Sequence, residues 1–274
     1  MQVDLCPTTD RCGDGPKGEE SVIAIVREVS GALSDCALTY LRREEINCER
    51  ASIQHRDYQR CLQGLGAEVV SLPALCDLPD STFVEDPVIV LDEVAILPVM
   101  GLETRRPEVE HIAPTIERYR KILRLSAPAT LDGGDVIRIR RKIFVGLSRR
   151  TNSQAILQLE SLLEPFGYLV KAVEVRGCLH LKTGCTHLGD STLLLNPRYV
   201  NPNAFRGFRT ISISDGEAMA ANALALANKV VYPDCFPRTH EKIEKAGFAV
   251  VPVDISELQK AEAGLTCMSV IFEN

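Results

Sequence analysis

LeuThrCysMet at 265–268 is the last of five polar-tipped segments whose spacing decides how this chain is built. Cys267 follows Asn222 by 45 residues, Asn222 follows His180 by 42, His180 follows Asp132 by 48, and Asp132 follows Glu85 by 47. Each of these residues opens a similar local pattern: a polar marker, a short apolar strand, a polar turn and often a second strand. PheValGluAsp (83–86) leads into ValIleValLeuAspGluValAlaIleLeu, and LeuAspGlyGlyAsp (131–135) into ValIleArgIleArgArgLysIlePheValGly. LeuHisLeuLys (179–182) precedes ThrLeuLeuLeuAsn, AlaAlaAsnAlaLeu (220–224) precedes LysValValTyrPro, and LeuThrCys precedes SerValIlePhe. An internal period of about 20 to 50 residues signifies a propeller, a solenoid or an array. Five copies fit a closed ring.

Between the hairpins, apolar residues spaced three and four apart predict helices over 50–63, 107–123, 151–166, 216–227 and 238–246. The third has Thr151 or Asn152 as its cap and Gly167 as its stop. The second carries Val109, Ile112, Ile116, Tyr119 and Leu123 on one stripe, with Pro114 set to kink or restart it. Strands alternating with helices predict an α/β architecture.

At 274 residues, 45% hydrophobic and 25% charged, the chain can bury a sizeable core, and a ring of repeats makes residues 21–274 one catalytic domain. Residues 1–20 read as a polar, Gly-rich, flexible extension without the charged start and apolar core of a signal peptide. A net charge of −6 with no basic run argues against nucleic acid, and no apolar stretch approaches the roughly 18 residues that span a bilayer. Ten cysteines without a secretory signal suggest free thiols and a cytoplasmic location. Cys178, His180, Cys185 and His187 imitate a zinc cluster, but the spacing lacks a paired CxxC knuckle; a strand over 178–181 would put Cys178 and His180 on one face.

Cys267 stands apart because of its company. A thiolate is the nucleophilic form of cysteine. His180 is suited to general acid and base work and Asp132 to orienting it, which gives nucleophile, base and orienter. In a closed ring these residues occupy equivalent positions of different copies and point at a common axis.

ProAspSerThrPheValGluAsp (79–86), ThrLeuAspGlyGlyAspVal (130–136), PheValGlyLeuSerArgArgThrAsn (144–152), LeuHisLeuLys and GlyLeuThrCysMetSerVal (264–270) together resemble the dimethylarginine dimethylaminohydrolases of the pentein, or guanidino-group-modifying, superfamily. The resemblance covers roughly residues 21–274 in order. It implies a five-bladed α/β propeller of ββαβ modules with the active site in the central channel. It implies Cys267 as nucleophile, His180 as general acid and base, and Asp132 as the acid that binds the guanidinium and supports His180. Glu85 and Asp86 match pocket carboxylates, and Asp80 with the backbone at Ala261 match contacts to the substrate α-amino group. Arg105 and Arg150 match the clamp on its α-carboxylate, and Leu38 falls at a lid position. The family needs no organic cofactor or catalytic metal, and its partner is a small methylated arginine; the chain is expected to be a monomer or homodimer.

Physical chemistry fits such a substrate. A planar permanent cation suits Glu85, Asp86 and Asp132, while a free carboxylate suits two arginines. Other penteins remain alternatives: arginine deiminases, which usually carry an inserted helical domain; agmatine deiminases, whose Trp motifs this Trp-free chain lacks; amidinotransferases; and non-catalytic binding proteins that have no use for a Cys, His and acid on one axis.

Overall fold

The computed structural model describes residues 21–274. β1 (Val22–Arg27) passes through α1 (Cys48–Gly64) into β2 (Glu68–Leu72), which pairs parallel to β1. The second module is β3 (Ile89–Val90), β4 (Val94–Leu97), α2 (Pro107–Ile116) and β5 (Lys121–Arg124). The third is β6 (Val136–Ile139), β7 (Lys142–Leu147), α3 (Ser153–Leu163) and β8 (Leu169–Glu174). A single helical turn, α4 (Leu181–Gly184), introduces the fourth: β9 (Cys185–Gly189), β10 (Thr192–Leu195) and β11 (Arg209–Ser212). There a 3₁₀ turn at Pro202–Phe205 stands where the other modules have a helix. The fifth holds β12 (Leu224–Leu226), β13 (Lys229–Pro233), α5 (Pro237–Lys245) and β14 (Ala249–Val253). After the short α6 (Ser256–Gln259), β15 (Val270–Glu273) pairs antiparallel with β1, Ile23 opposite Phe272, so the last strand completes the first module.

The result is five three-stranded sheets, each an antiparallel pair extended by a parallel strand. One strand from each module, β3, β6, β9, β12 and β15, lines a common cavity of about 330 Å³. That shared cavity is the propeller axis. Alternation explains the packing: Ile23 and Ile25 of β1 face the core of the second module, while Ala24 and Val26 face the core beneath α1. The helix caps follow local chemistry: Asn47 accepts from the Arg50 N–H at 2.9 Å and Asn152 from the Ala155 N–H at 3.1 Å.

Three sequence expectations need correction. The stripe over 107–123 ends as helix at Ile116, two residues past Pro114, and adjacent Ile122 and Leu123 bury into different cores, which is the alternation of a strand. Residues 216–227 form turns and β12 instead of a helix; Ala227 and Asn228, both at positive φ (49° and 58°), make a tight hairpin into β13. His180 lies in a bend that caps α4, not on a strand over 178–181. The expectation for residues 1–20 lies outside the described residues. Among the described residues no helix is long and apolar enough to cross a membrane.

Candidate active site

Each of the five markers sits just before the inner strand of its module: Glu85 before β3, Asp132 before β6, His180 before β9, Asn222 before β12 and Cys267 before β15. They therefore gather at one end of the axis, and hydrogen bonds join them in a ring. Glu85 N–H donates to the Cys267 carbonyl at 3.2 Å, and Gly133 N–H to the Asp86 carbonyl at 2.9 Å. His180 Nε2 lies 3.1 Å from Asp132 Oδ2. Asn222 Nδ2 donates to the Lys182 carbonyl at 3.1 Å, and Thr266 N–H returns to Asn222 Oδ1 at 3.1 Å, next to Cys267.

His180 is buried, with Asp132 on one ring nitrogen and Asp86 Oδ1 3.8 Å from the other. Burial pulls its pKa down, but the Asp86 charge and the Asp132 hydrogen bond outweigh it and lift the imidazole to about 9. His180 is thus an imidazolium at neutral pH. Asp86 in turn is held well below the usual carboxylate range: burial opposes ionisation, but His180 and Arg105 overcome it. Two glycines make this approach possible. A Cβ on Gly134 would lie 2.6 Å from His180 Nδ1 and 2.8 Å from Asp86 Oδ1, and one on Gly133 would lie 2.1 Å from the Glu85 carbonyl oxygen.

Cys267 is half-buried in a 3₁₀ turn, Thr266–Met268, and its sulfur accepts from Gly264 N–H at 3.3 Å. Burial, then the charges of Glu85 and Asp86, push the thiol pKa up, against the pull of Gly264 N–H and Lys182. The two shifts together favour a protonated His180 and a neutral Cys267 thiol.

The remaining expected residues divide. Asp86 and Asp132 converge on His180, but Glu85 turns to a separate network, accepting from Lys182 Nζ at 2.5 Å and Thr266 Oγ1 at 2.8 Å. Arg105 does not stand free as a carboxylate clamp: it is buried against Asp86 at 2.6 Å and Glu108 at 2.8 Å. Arg150 reaches Asp132 at 3.4 Å and Thr39 Oγ1 at 3.2 Å. Asp80 accepts from Ala37 N–H at 3.1 Å, and Leu38 packs on the cluster that also receives Cys267. Ala261 is buried beyond α6, directly before Glu262, whose carboxylate accepts from the N–H groups of Thr39, Tyr40 and Leu41. The loop around Leu38 is thereby held over the site.

Sequence reading missed Glu262, Lys182, Thr266 and Asp135. Asp135 accepts from Leu181 N–H, Ser148 and Thr151, and its position in the AspGlyGlyAsp turn was its only signal. Among the described residues, the His, Cys, Asp and Glu ligand atoms close enough to share an ion belong to Asp86, Asp132 and His180, rather than to Cys178, Cys185 and His187. These are already engaged as counter-ions and imidazolium.

A family model described as arginine deiminase matches residues 73–220, more than half of the chain. The N(G),N(G)-dimethylarginine dimethylaminohydrolase of Pseudomonas aeruginosa is 37% identical over 225 residues, covering 81% of this chain and 89% of that protein. The chain belongs to the dimethylarginine dimethylaminohydrolase family. The Streptomyces coelicolor member is 34% identical over 249 residues, covering 90% and 95% of the two chains. The solved Pseudomonas aeruginosa family member, a cysteine-to-serine variant complexed with citrulline, matches with a TM-score of 0.88 at 35% identity, covering 92% of this chain and 99% of that one. A cyanobacterial arginine dihydrolase domain shares the fold at 18% identity and a TM-score of 0.83.

Proposed function

We propose that this protein hydrolyses Nω-methylated arginines to citrulline and methylamine or dimethylamine, through a covalent intermediate on Cys267. The observation that carries this reading is the buried His180 ring held between the Asp86 and Asp132 carboxylates, on the same ring of contacts as the Cys267 turn. Family relatives named for this reaction support it.

The site divides the work as follows. Asp86 and Asp132 hold the guanidinium by charge-assisted hydrogen bonds, and Arg150 binds the α-carboxylate. Arg105 serves mainly to fix Asp86. Asp80 and the Ala261 backbone take the α-amino group, and Leu38 closes above. A bound cation offsets the negative field that disfavours the thiolate, so Cys267 ionises as substrate arrives. Its sulfur attacks the guanidinium carbon, the C–N bond to the methylated nitrogen breaks, and His180 gives its proton to the departing amine. An S-alkylthiouronium remains. Neutral His180 then takes a proton from water and the hydroxide adds to the same carbon; the added hydroxyl gives up its remaining proton to solvent as the C–S bond breaks, releasing citrulline and the thiolate. No metal or organic cofactor enters these steps.

Residues 21–274 act as one catalytic unit in this reading. The acidic net charge fits a small-molecule partner rather than nucleic acid, and the free thiols fit a cytoplasmic protein, monomeric or dimeric. Incubation with asymmetric dimethylarginine, monomethylarginine, arginine and agmatine in parallel, assayed for citrulline and released amine, tests it. Turnover should be confined to the methylated arginines. Release of ammonia from arginine at an equal or higher rate would reassign the protein as a deiminase.

A further inference from the structure

Three of the five markers, Asp132, His180 and Cys267, have a place in the reading above; Glu85 and Asn222 have none, and Asn222 is the one whose side chain ties two of those segments together. We infer that Asn222 is a positioning residue that locks the nucleophile-bearing turn to the segment carrying His180, an inference that rests on the proposed Cys267 chemistry.

The side chain of Asn222 is buried and uses both ends. Oδ1 accepts from Thr266 N–H at 3.1 Å, while Nδ2 donates to Thr266 Oγ1 at 3.0 Å and to the Lys182 carbonyl at 3.1 Å. One amide thus grips the residue before Cys267 twice and the residue two after His180 once. Thr266 Oγ1 in turn donates to Glu85 Oε2 at 2.8 Å, which extends the brace to a fourth module. Gly264 fits around the same side chain: a Cβ there would lie 2.3 Å from Asn222 Cγ, and it is Gly264 N–H that donates to the Cys267 sulfur at 3.3 Å.

No other residue type supplies this set. The brace needs a neutral group with an acceptor and two donors on a two-carbon stem. Asp keeps the acceptor, loses both donors and adds a negative charge near Glu85. Gln pushes the amide about one methylene further, into the space that Gly264 leaves no larger. Outer partners of reactive groups typically change rate by about 10- to 100-fold when removed. Because the hydrogen bonds of Asn222 go to Thr266 and Lys182 and not to Cys267 or His180, its loss should fall on kcat and on thiol reactivity more than on KM.

The test uses the full chain carrying Asn222→Ala, Thr266→Val and both together, with Asn222→Asp as a second route should the alanine variant fold poorly. Methylarginine turnover is measured beside the rate at which iodoacetamide alkylates the Cys267 peptide across pH, read by mass spectrometry. The inference expects kcat about 10- to 100-fold lower for Asn222→Ala with KM within about threefold, and a double variant no worse than the poorer single one. The alkylation profile should move to higher pH, most in Asn222→Asp. Unchanged kcat and alkylation in Asn222→Ala, or losses that multiply independently in the double variant, would overturn it. Absence of methylarginine turnover in the wild type would instead sink the proposed function, while the alkylation profiles would still report whether Asn222 braces the thiol.

Discussion

His180 Nε2 lies 3.1 Å from Asp132 Oδ2, and the opposite ring nitrogen faces Asp86 Oδ1 at 3.8 Å, so one buried imidazole carries a carboxylate on either side. This arrangement raises its pKa from 6.5 to about 9. A raised base stabilises the fold fully below the unfolded value and loses that contribution as pH rises through the folded one. Stability from His180 is therefore expected to decline between about pH 6.5 and 9, and turnover to fall with a limb near 9 as the leaving group loses its proton donor. Asp132→Asn should move that limb at least about one unit lower. A limb that stays in place in a pH–rate profile of the variant would separate Asp132 from the charge on His180.

Gly134 is defined by what a side chain would strike. In Gly134→Ala the methyl group collides with both His180 and Asp86, so the imidazole must move. The expected outcome is a loss of about 100-fold in kcat with about 1–3 kcal/mol of destabilisation in denaturant unfolding. Wild-type kcat would show that the ring position does not matter.

Ion pairs here differ by burial. Arg105→Ala strands Asp86 and Glu108 in the interior and should cost about 3–5 kcal/mol of stability. Arg124→Ala removes an exposed pair with Glu110 and should cost under about 1 kcal/mol. Urea unfolding of the two variants side by side measures the contrast.

Glu262 fastens the loop over the site through three backbone N–H groups. In Glu262→Ala, amide hydrogen exchange at residues 39–41 should accelerate at least about tenfold while exchange in β4 and β7 stays protected. KM should rise, because the loop then closes at the expense of binding. Exchange at 39–41 equal to the wild type would leave the fastening to Arg150 and Asp80.

Much of the ring was legible because its repeat leaves a mark of constant phase: every marker residue precedes an inner strand. The helix capped by Asn152 was equally plain, since that side chain speaks through short-range chemistry. Two helix expectations failed, one of them across the marker Asn222 itself. Alanine-rich 216–227 carries no β-branched signal, yet positive φ at Ala227 and Asn228 commits it to a hairpin. Tyr119 and Leu123 extended a helical stripe only by coincidence, because Leu123 belongs to a different core. In the site, Glu85 and Arg105 were recognised as important, but their partners, Lys182 and Glu108, were not, and those partners turn both side chains to internal tasks. Residues that lie off the repeat phase leave no spacing to read; Glu262 meets the loop at Thr39 across 223 positions.

The most direct measurement compares wild type with Cys267→Ser on asymmetric dimethylarginine, quantifying citrulline and dimethylamine. Equimolar products from the wild type, and at least about a thousandfold loss in the serine variant with its fold intact, are the expected results. Turnover surviving in Cys267→Ser would remove the nucleophile from the account, and with it the covalent mechanism.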